Sequence, residues 1–219
     1  MDINIGMFYN DNTLNIFSDA SIIGNADNFT GCYGAVAVVG DDIIDQTYRL
    51  VSNTTNNNSE IKGIRGALFL AHKYRNTYKN INIFSDSLIS INGLRSYIYN
   101  WKIKNGELYS ISTGRKIANQ NIFIECHNLL KELENAPCII TLYHQSGHVD
   151  SSYRAIVSAC KSFNYNNNIR GKIDLNFIRY ISTWNNHVDS NSRSMLKRNR
   201  NNKNIYTDPI EFTANYNII

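Results

Sequence analysis

No run of residues in this chain is long and apolar enough to cross a bilayer. The longest such stretches, Tyr33 to Val39 and Ile139 to Tyr143, fall far short of the roughly 20 residues a spanning helix needs. Nor does the N-terminus carry a basic stretch followed by an apolar one. Together these absences predict a cytoplasmic protein that is not secreted and has no membrane partner. Cysteine is sparse: Cys32, Cys126, Cys138 and Cys160 lie far apart, without the C-x-x-C pairs of a zinc ribbon or the density of a disulfide scaffold. Reduced and mostly buried thiols are expected. Strong charge of one sign is missing too, since 22 Lys and Arg face 18 Asp and Glu for a net +4. That balance permits a polyanionic partner without requiring one. No internal repeat is visible.

What is present is enough for one core: 219 residues, 42% of them hydrophobic. The expected layout is a single domain over residues 1–197, followed by a tail over 198–219, in a monomer. Asparagine-rich stretches such as Thr54 to Asn58, Asn164 to Asn168 and Asn199 to Asn204 read as loop filler unless they stand beside a carboxylate.

Apolar Leu14 to Ser18 predicts a short strand that ends at Asp19. Tyr33 to Val39, Gly40-Asp41-Asp42 and Ile43 to Val51 then form a hairpin, because turn residues separate two β-rich runs. Ser59 is placed to cap a helix reaching about Tyr74, with Ile61, Ile64, Leu68 and Ala71 along one face. Ile81 to Phe84 is the fourth strand, and Leu88, Ile91, Leu94 and Ile98 recur at helical spacing. Residues 101–120 break the pattern with basic and glycine residues. A helix over Asn121 to Glu134 ends at Ala136-Pro137, before a fifth strand over Ile139 to Tyr143. Further on, helices are expected near Tyr153 to Phe163, from about Asp174, and over Trp184 to Leu196.

Four carboxylates stand at the joints of this layout: Asp19, Glu60, Asp86 and Asp189. Any one alone reads as a helix cap or turn former. As a set they suit phosphodiester hydrolysis, in which two Mg²⁺ ions about 3.5–4 Å apart activate water and stabilise the leaving alkoxide. Hard cations take oxygen ligands, so the protein must supply clustered carboxylates. His144, His148, Cys160 and His187 suggest zinc instead, but four-residue spacing at a strand end does not align two imidazoles.

The motifs resemble those of the ribonuclease HI family. Asp19-Ala20-Ser21 is similar to its first-strand D-G-S, Thr55 to Glu60 to its T-N-N-x-x-E, and Ser85-Asp86-Ser87 to its T-D-S. Gly147-His148 resembles its G-H loop, and Asn185 to Asp189 its N-x-x-x-D helix. Tyr99-Asn100-Trp101-Lys102 resembles the H-N-W-K entry into the basic handle of bacterial members. The resemblance spans about residues 14–150 and 184–197. It implies an α/β fold with a mixed five-stranded sheet, its first three strands antiparallel, flanked by helices. It further implies an endonuclease that cuts the RNA strand of RNA/DNA hybrids and leaves 5′-phosphate and 3′-hydroxyl ends, with a role in replication.

By that resemblance Asp19, Glu60, Asp86 and Asp189 hold two Mg²⁺ ions, with Mn²⁺ as substitute, and His148 assists proton transfer or product release. Ser21, Asn56, Asn57 and Ser87 are implied substrate contacts, the asparagines in the minor groove where 2′-hydroxyls mark RNA. Trp101, Lys102 and Lys104 would grip the DNA strand through phosphate and sugar contacts.

The chain also departs from the pattern. Ala20 replaces the usual glycine, and Leu88 stands where a glutamine is common. Residues 150–183 form a basic insertion before Asp189, expected either to build a helical subdomain or to pack on the edge of the last helix. Met1 to Thr13 is expected to add an edge strand. Two other functions stay open: a DNA junction nuclease on the same fold, and a catalytically inactive nucleic-acid-binding domain.

Overall fold

The computed structural model describes residues 2–24 and 29–199. Strands β1 (Thr13–Ile23), β2 (Thr30–Val39) and β3 (Asp42–Ser52) form an antiparallel meander, followed by helix α1 (Asn56–Tyr74), strand β4 (Asn80–Ser85) and helix α2 (Leu88–Arg95). A short ribbon of β5 (Trp101–Lys104) and β6 (Glu107–Ser110) comes next, then α3 (Gln120–Glu134), β7 (Ile139–His144), α4 (Tyr153–Asn166) and α5 (Leu175–Asn199). The main sheet has the order β3-β2-β1-β4-β7, with β1, β4 and β7 parallel. The expected mixed five-stranded sheet, its first three strands antiparallel and its faces covered by helices, is the fold observed.

Side-chain alternation along the strands explains the layering, because successive residues of a strand face opposite sides. Leu14, Ile16, Ala35, Ala37, Ile81 and Ile83 pack on one side with Ile61, Ile64 and Leu68 of α1 and with α3. Phe17, Val36, Val38 and Phe84 face the other way, against Phe163 of α4 and Phe177, Ile181, Trp184 and Val188 of α5. Across β1, β4 and β7, Phe17, Phe84 and Tyr143 are register partners and their rings stack at 4.9 and 5.2 Å. Both faces are buried, as the central strands' nearly continuous apolar composition requires.

Several local expectations need correction. β1 does not end at Asp19: its pairing with β2 continues to Ile23↔Thr30, so Asp19 lies inside the strand. Thr55, not Ser59, caps α1; its hydroxyl accepts from the Asn58 amide, while Ser59 is fully buried and bonds Thr54. Residues 101–110 are a hairpin, turned by Asn105 and Gly106 with φ of 53° and 77°. Both central residues of such a turn need positive φ, which Asn-Gly supplies at low strain. The two helices expected after Asp174 are one, of 25 residues, because nothing between Leu175 and Asn199 breaks it.

The edge strand expected over Met1 to Thr13 is not formed by the described residues 2–12, which contain a 3-10 turn and an isolated bridge from Ile3 to Ile173. Phe8 enters the core beside Phe84 and Phe177 instead, since a buried aromatic ring gains more from packing than from an exposed edge. Residues 198 and 199, expected in the tail, close α5, and the rest of that tail lies outside the described residues. All four cysteines are free, two of them buried. Among the described residues, no helix is long and apolar enough to cross a membrane.

Candidate active site

β4 stops at Ser85, opposite Ser18, while β1 runs on beside β2. Beyond residue 18, therefore, one side of β1 has no strand neighbour, and Asp19 to Ile23 line a cleft of about 470 Å³. Open α/β sheets bind ligands at such a place, at the carboxyl ends of parallel strands where the strand order reverses. Asn56 and Glu60 enter from the start of α1, Asp86 from the turn after β4, and His148 from the loop after β7. Asp189, Arg193 and Lys197 arrive from α5, four residues apart and so on one helix face.

Each carboxylate is held by its neighbours. Asp19 is buried; its Oδ1 accepts from the Ala20 amide at 2.6 Å and its Oδ2 from Asn185 Nδ2 at 3.2 Å. Gln145 Nε2 in turn donates to Asn185 Oδ1 at 2.6 Å, which fixes that amide's orientation. Glu60 accepts from Asn56 Nδ2 through one oxygen and from the Ser87 hydroxyl, at 2.6 Å, through the other. Asp189 Oδ1 accepts from Ser21 Oγ and Arg193 Nε, both at 2.8 Å, and His148 Nδ1 stands 3.8 Å from its other oxygen.

Crowding of acids in a poorly solvated cleft disfavours their charged forms. Burial, followed by the Asp86 carboxylate, pushes the Asp19 carboxyl up to about 8 despite the Ala20 amide, which lowers it. Burial and then Glu60 raise Asp86 to about 6, with His148 pulling the other way. Acids perturbed in this manner mark a place where a cation would be favourable.

Among the described residues, no three His, Cys, Asp or Glu side chains stand close enough to close around an ion as they lie. The contacts above give the reason: Glu60 is turned toward Asn56 and Ser87, and Asp189 toward Ser21 and Arg193. The donor set still fits a hard divalent cation, being four carboxylates at one cleft, two of them destabilised by their own charge.

The other expected contacts are distributed around this cleft. Ser87 is tied to Glu60, whereas Asn57 and Trp101 line a neighbouring cavity of about 660 Å³ between α2, the hairpin and α3. Trp101 sits edge-on to Phe123 at 5.2 Å and is partly core. Lys102 and Lys104 are exposed on β5, outside both cavities. His144 is buried and faces the Asp86 backbone, away from any zinc-like grouping. Sequence reasoning did not single out Arg193 and Lys197 or the bracing by Asn185 and Gln145. The i+4 and i+8 spacing from Asp189 was a readable signal for the two cations.

A mixed α/β sheet with an acidic cleft at its strand-order reversal is the class that fold and site define. The family model described as RNase H matches residues 11–154, and the chain belongs to the RNase H family. That match ends before Asp189. Ribonuclease HI of Haemophilus influenzae is 32% identical over 115 residues, covering 51% of this chain and 66% of that protein. Ribonuclease HI of Pasteurella multocida is 31% identical over 120 residues, with the same coverage. The chain thus spans slightly under two thirds of these relatives' length. A foamy viral protease-reverse transcriptase, solved with an RNA/DNA hybrid, shares the fold with a TM-score of 0.52 at 13% identity, over 84% of this chain and 20% of that one.

Proposed function

We propose that this chain is an endoribonuclease that hydrolyses the RNA strand of RNA/DNA hybrids, using two Mg²⁺ ions, or Mn²⁺ in their place, and leaving 5′-phosphate and 3′-hydroxyl ends. One observation carries the reading: Asp19, Glu60, Asp86 and Asp189, from four separate segments, line one cleft in a chain of the RNase H family. These four would hold the ions, which when bound would activate the attacking water and stabilise the leaving oxygen.

The protein's own residues supply the rest. Asn185 and Ala20 aim Asp19, and Ser21 holds Asp189 by the oxygen that Arg193 also occupies. His148 is about two-thirds exposed on its loop beside Asp189, a position suited to passing a proton to solvent or to a departing product. Asn56, on the cleft wall, is our candidate for reading 2′-hydroxyls, and the exposed Lys102 and Lys104 for contacting phosphates of the DNA strand.

The test is cleavage of an end-labelled hybrid in Mg²⁺, beside double-stranded RNA and a four-way DNA junction. Asp86→Asn should cut the hybrid at least about a hundredfold more slowly than the unaltered protein. Equal rates in the two proteins would sink the metal-site assignment, and preference for the junction would sink the substrate.

A further inference from the structure

The end of β7 grips the turn that carries Asp86. Gln145 N–H donates to the Ser85 carbonyl at 3.0 Å, and His144 Nε2 lies 3.2 Å from the Asp86 carbonyl oxygen. A carbonyl can only accept, so the ring proton belongs on Nε2 and Nδ1 is left as an acceptor. Asn166 Nδ2 meets that acceptor at 3.0 Å. The imidazole is therefore oriented through both nitrogens. The Asp86 carbonyl also accepts from the Leu88 amide at 3.1 Å, so its peptide plane is fixed by one local donor and one from β7.

His144 is itself held by the C-terminal end of α4. Asn167 Oδ1 accepts from the His144 amide at 2.9 Å, and Asn167 Nδ2 donates to the His144 carbonyl at 2.7 Å. That side chain is anchored in turn by Arg95 Nη2 at 2.7 Å and by the Phe163 carbonyl at 2.9 Å. Asn166 spends its second N–H on Ser162 Oγ at 3.1 Å. α4 is seated through buried Ile156, Ala159 and Phe163, the last stacked 5.6 Å from Tyr143. The bonds are continuous from α4 through His144 to the Asp86 peptide, and α4 falls in the stretch to which the resemblance assigns no role.

We propose that His144 is a positioning residue for Asp86, and that α4, through Asn166 and Asn167, sets the aim of its ring. The inference rests on the reading of Asp86 as a carboxylate that holds a metal ion. A backbone carbonyl turns with the same dihedrals that aim the side chain, so freeing the Asp86 carbonyl lets the carboxylate swing. Displacements near 1 Å at such a position cost much of the rate.

The experiment uses the full chain, with hybrid cleavage followed across a Mg²⁺ series and thermal melting in parallel. His144→Phe keeps a flat ring and removes the donor, His144→Gln restores an N–H near the Nε2 position, and Asn166→Leu leaves the ring in place and removes the hold of α4 on it, together with the bond to Ser162 within α4. His144→Phe should lower kcat about tenfold, near the worth of one hydrogen bond, and raise the half-saturating Mg²⁺ similarly, with hybrid KM within about twofold. Asn166→Leu should follow in the same direction with a smaller effect, and His144→Gln should recover most of the loss.

Unchanged kcat and Mg²⁺ dependence in His144→Phe, a loss that His144→Gln does not recover, or a change confined to KM overturns the proposal. Should His144→Phe not fold, Asn166→Leu and His144→Gln decide by the same criteria. If the unaltered protein cleaves no hybrid, the activity reading fails separately, and Mn²⁺ calorimetry then decides: affinity about tenfold weaker in His144→Phe supports the positioning role, and affinity equal in both proteins, or absent from both, overturns it.

Discussion

Gly147 lies directly against the Asp86 carboxylate: a Cβ at position 147 would overlap Asp86 Oδ2 and crowd its Cβ and Cγ. The obstructed group is the end of a flexible side chain, so it would yield by moving. Gly147→Ala should therefore cost little stability and yet displace a carboxylate proposed to hold a metal ion. Cleavage should fall about tenfold or more while the melting temperature shifts by only a few degrees. A variant as active as the parent would show that Asp86 has other usable positions.

Protonation of Asp19 gives a pH signature. Its carboxyl sits at about 8 in the folded chain against an ordinary 3.8, and Asp86 at about 6. The folded state thus binds more protons than the unfolded one between those values, so this contribution is full below about 4 and is lost as pH rises toward about 8. In chelator, the melting temperature should fall across that window, and Asp19→Asn should flatten the fall. Added Mg²⁺ should remove it, since an ion that binds only the folded, ionised site stabilises that state. Melting curves that rise with pH over the same range would contradict the arrangement.

Arg193 competes for an oxygen of Asp189 that a cation would use, and does so from a half-exposed position. Replacing it with glutamine should lower the half-saturating Mg²⁺ severalfold, while hybrid KM rises because the cleft loses a cation. Mg²⁺ titrations of activity, with KM determined at each concentration, separate the two effects.

Phe163 joins α4 to the aromatic stack of the sheet. We expect the sheet and its flanking helices to unfold as one unit, and Phe163→Ala to cost about 3–5 kcal/mol, a large part of the stability of a typical domain. Calorimetry should show a single, lowered transition. An unaltered main transition beside a small early one would make α4 a separate subdomain.

The hairpin should act through charge. Lys102→Gln and Lys104→Gln should each reduce the slope of log affinity against log salt by about 0.7–0.9 and leave kcat nearly unchanged. Filter binding of the hybrid to metal-free protein across a salt series reads this directly.

The strands and helices that bury a stripe were legible because apolar residues repeat at their periods, as in Ile61, Ile64 and Leu68 or in Ile81 and Ile83. Where packing does not write the pattern, structure is not legible from spacing. The continuation of β1 past Asp19 depends on pairing with β2, which the polar residues Ser21 and Gly24 concealed. Asn105-Gly106 is a turn signal, but the strands it joins are only four residues long and partly or fully exposed, so no apolar alternation marks them. The site's carboxylates were readable as motifs, whereas the grips on them by Asn185, Gln145 and His144 were not. Those contacts join residues 40 to 166 apart and have no local spacing.

The pairing of Asn167 with the backbone of His144 has a consequence for how these molecules behave in a crowd. Strand β7 borders the sheet, and its outward amide and carbonyl groups are a template onto which a strand from another chain could zip. Asn167 already occupies both such groups of His144, and Arg95 takes the carbonyl of Leu142. At the opposite border, β3 is out of regular register beside Ala37 and Val38 and carries Asp42, Asp45 and Arg49. Neither border offers a long, flat, uncharged row of free groups, so growth of sheets from molecule to molecule is discouraged at both ends.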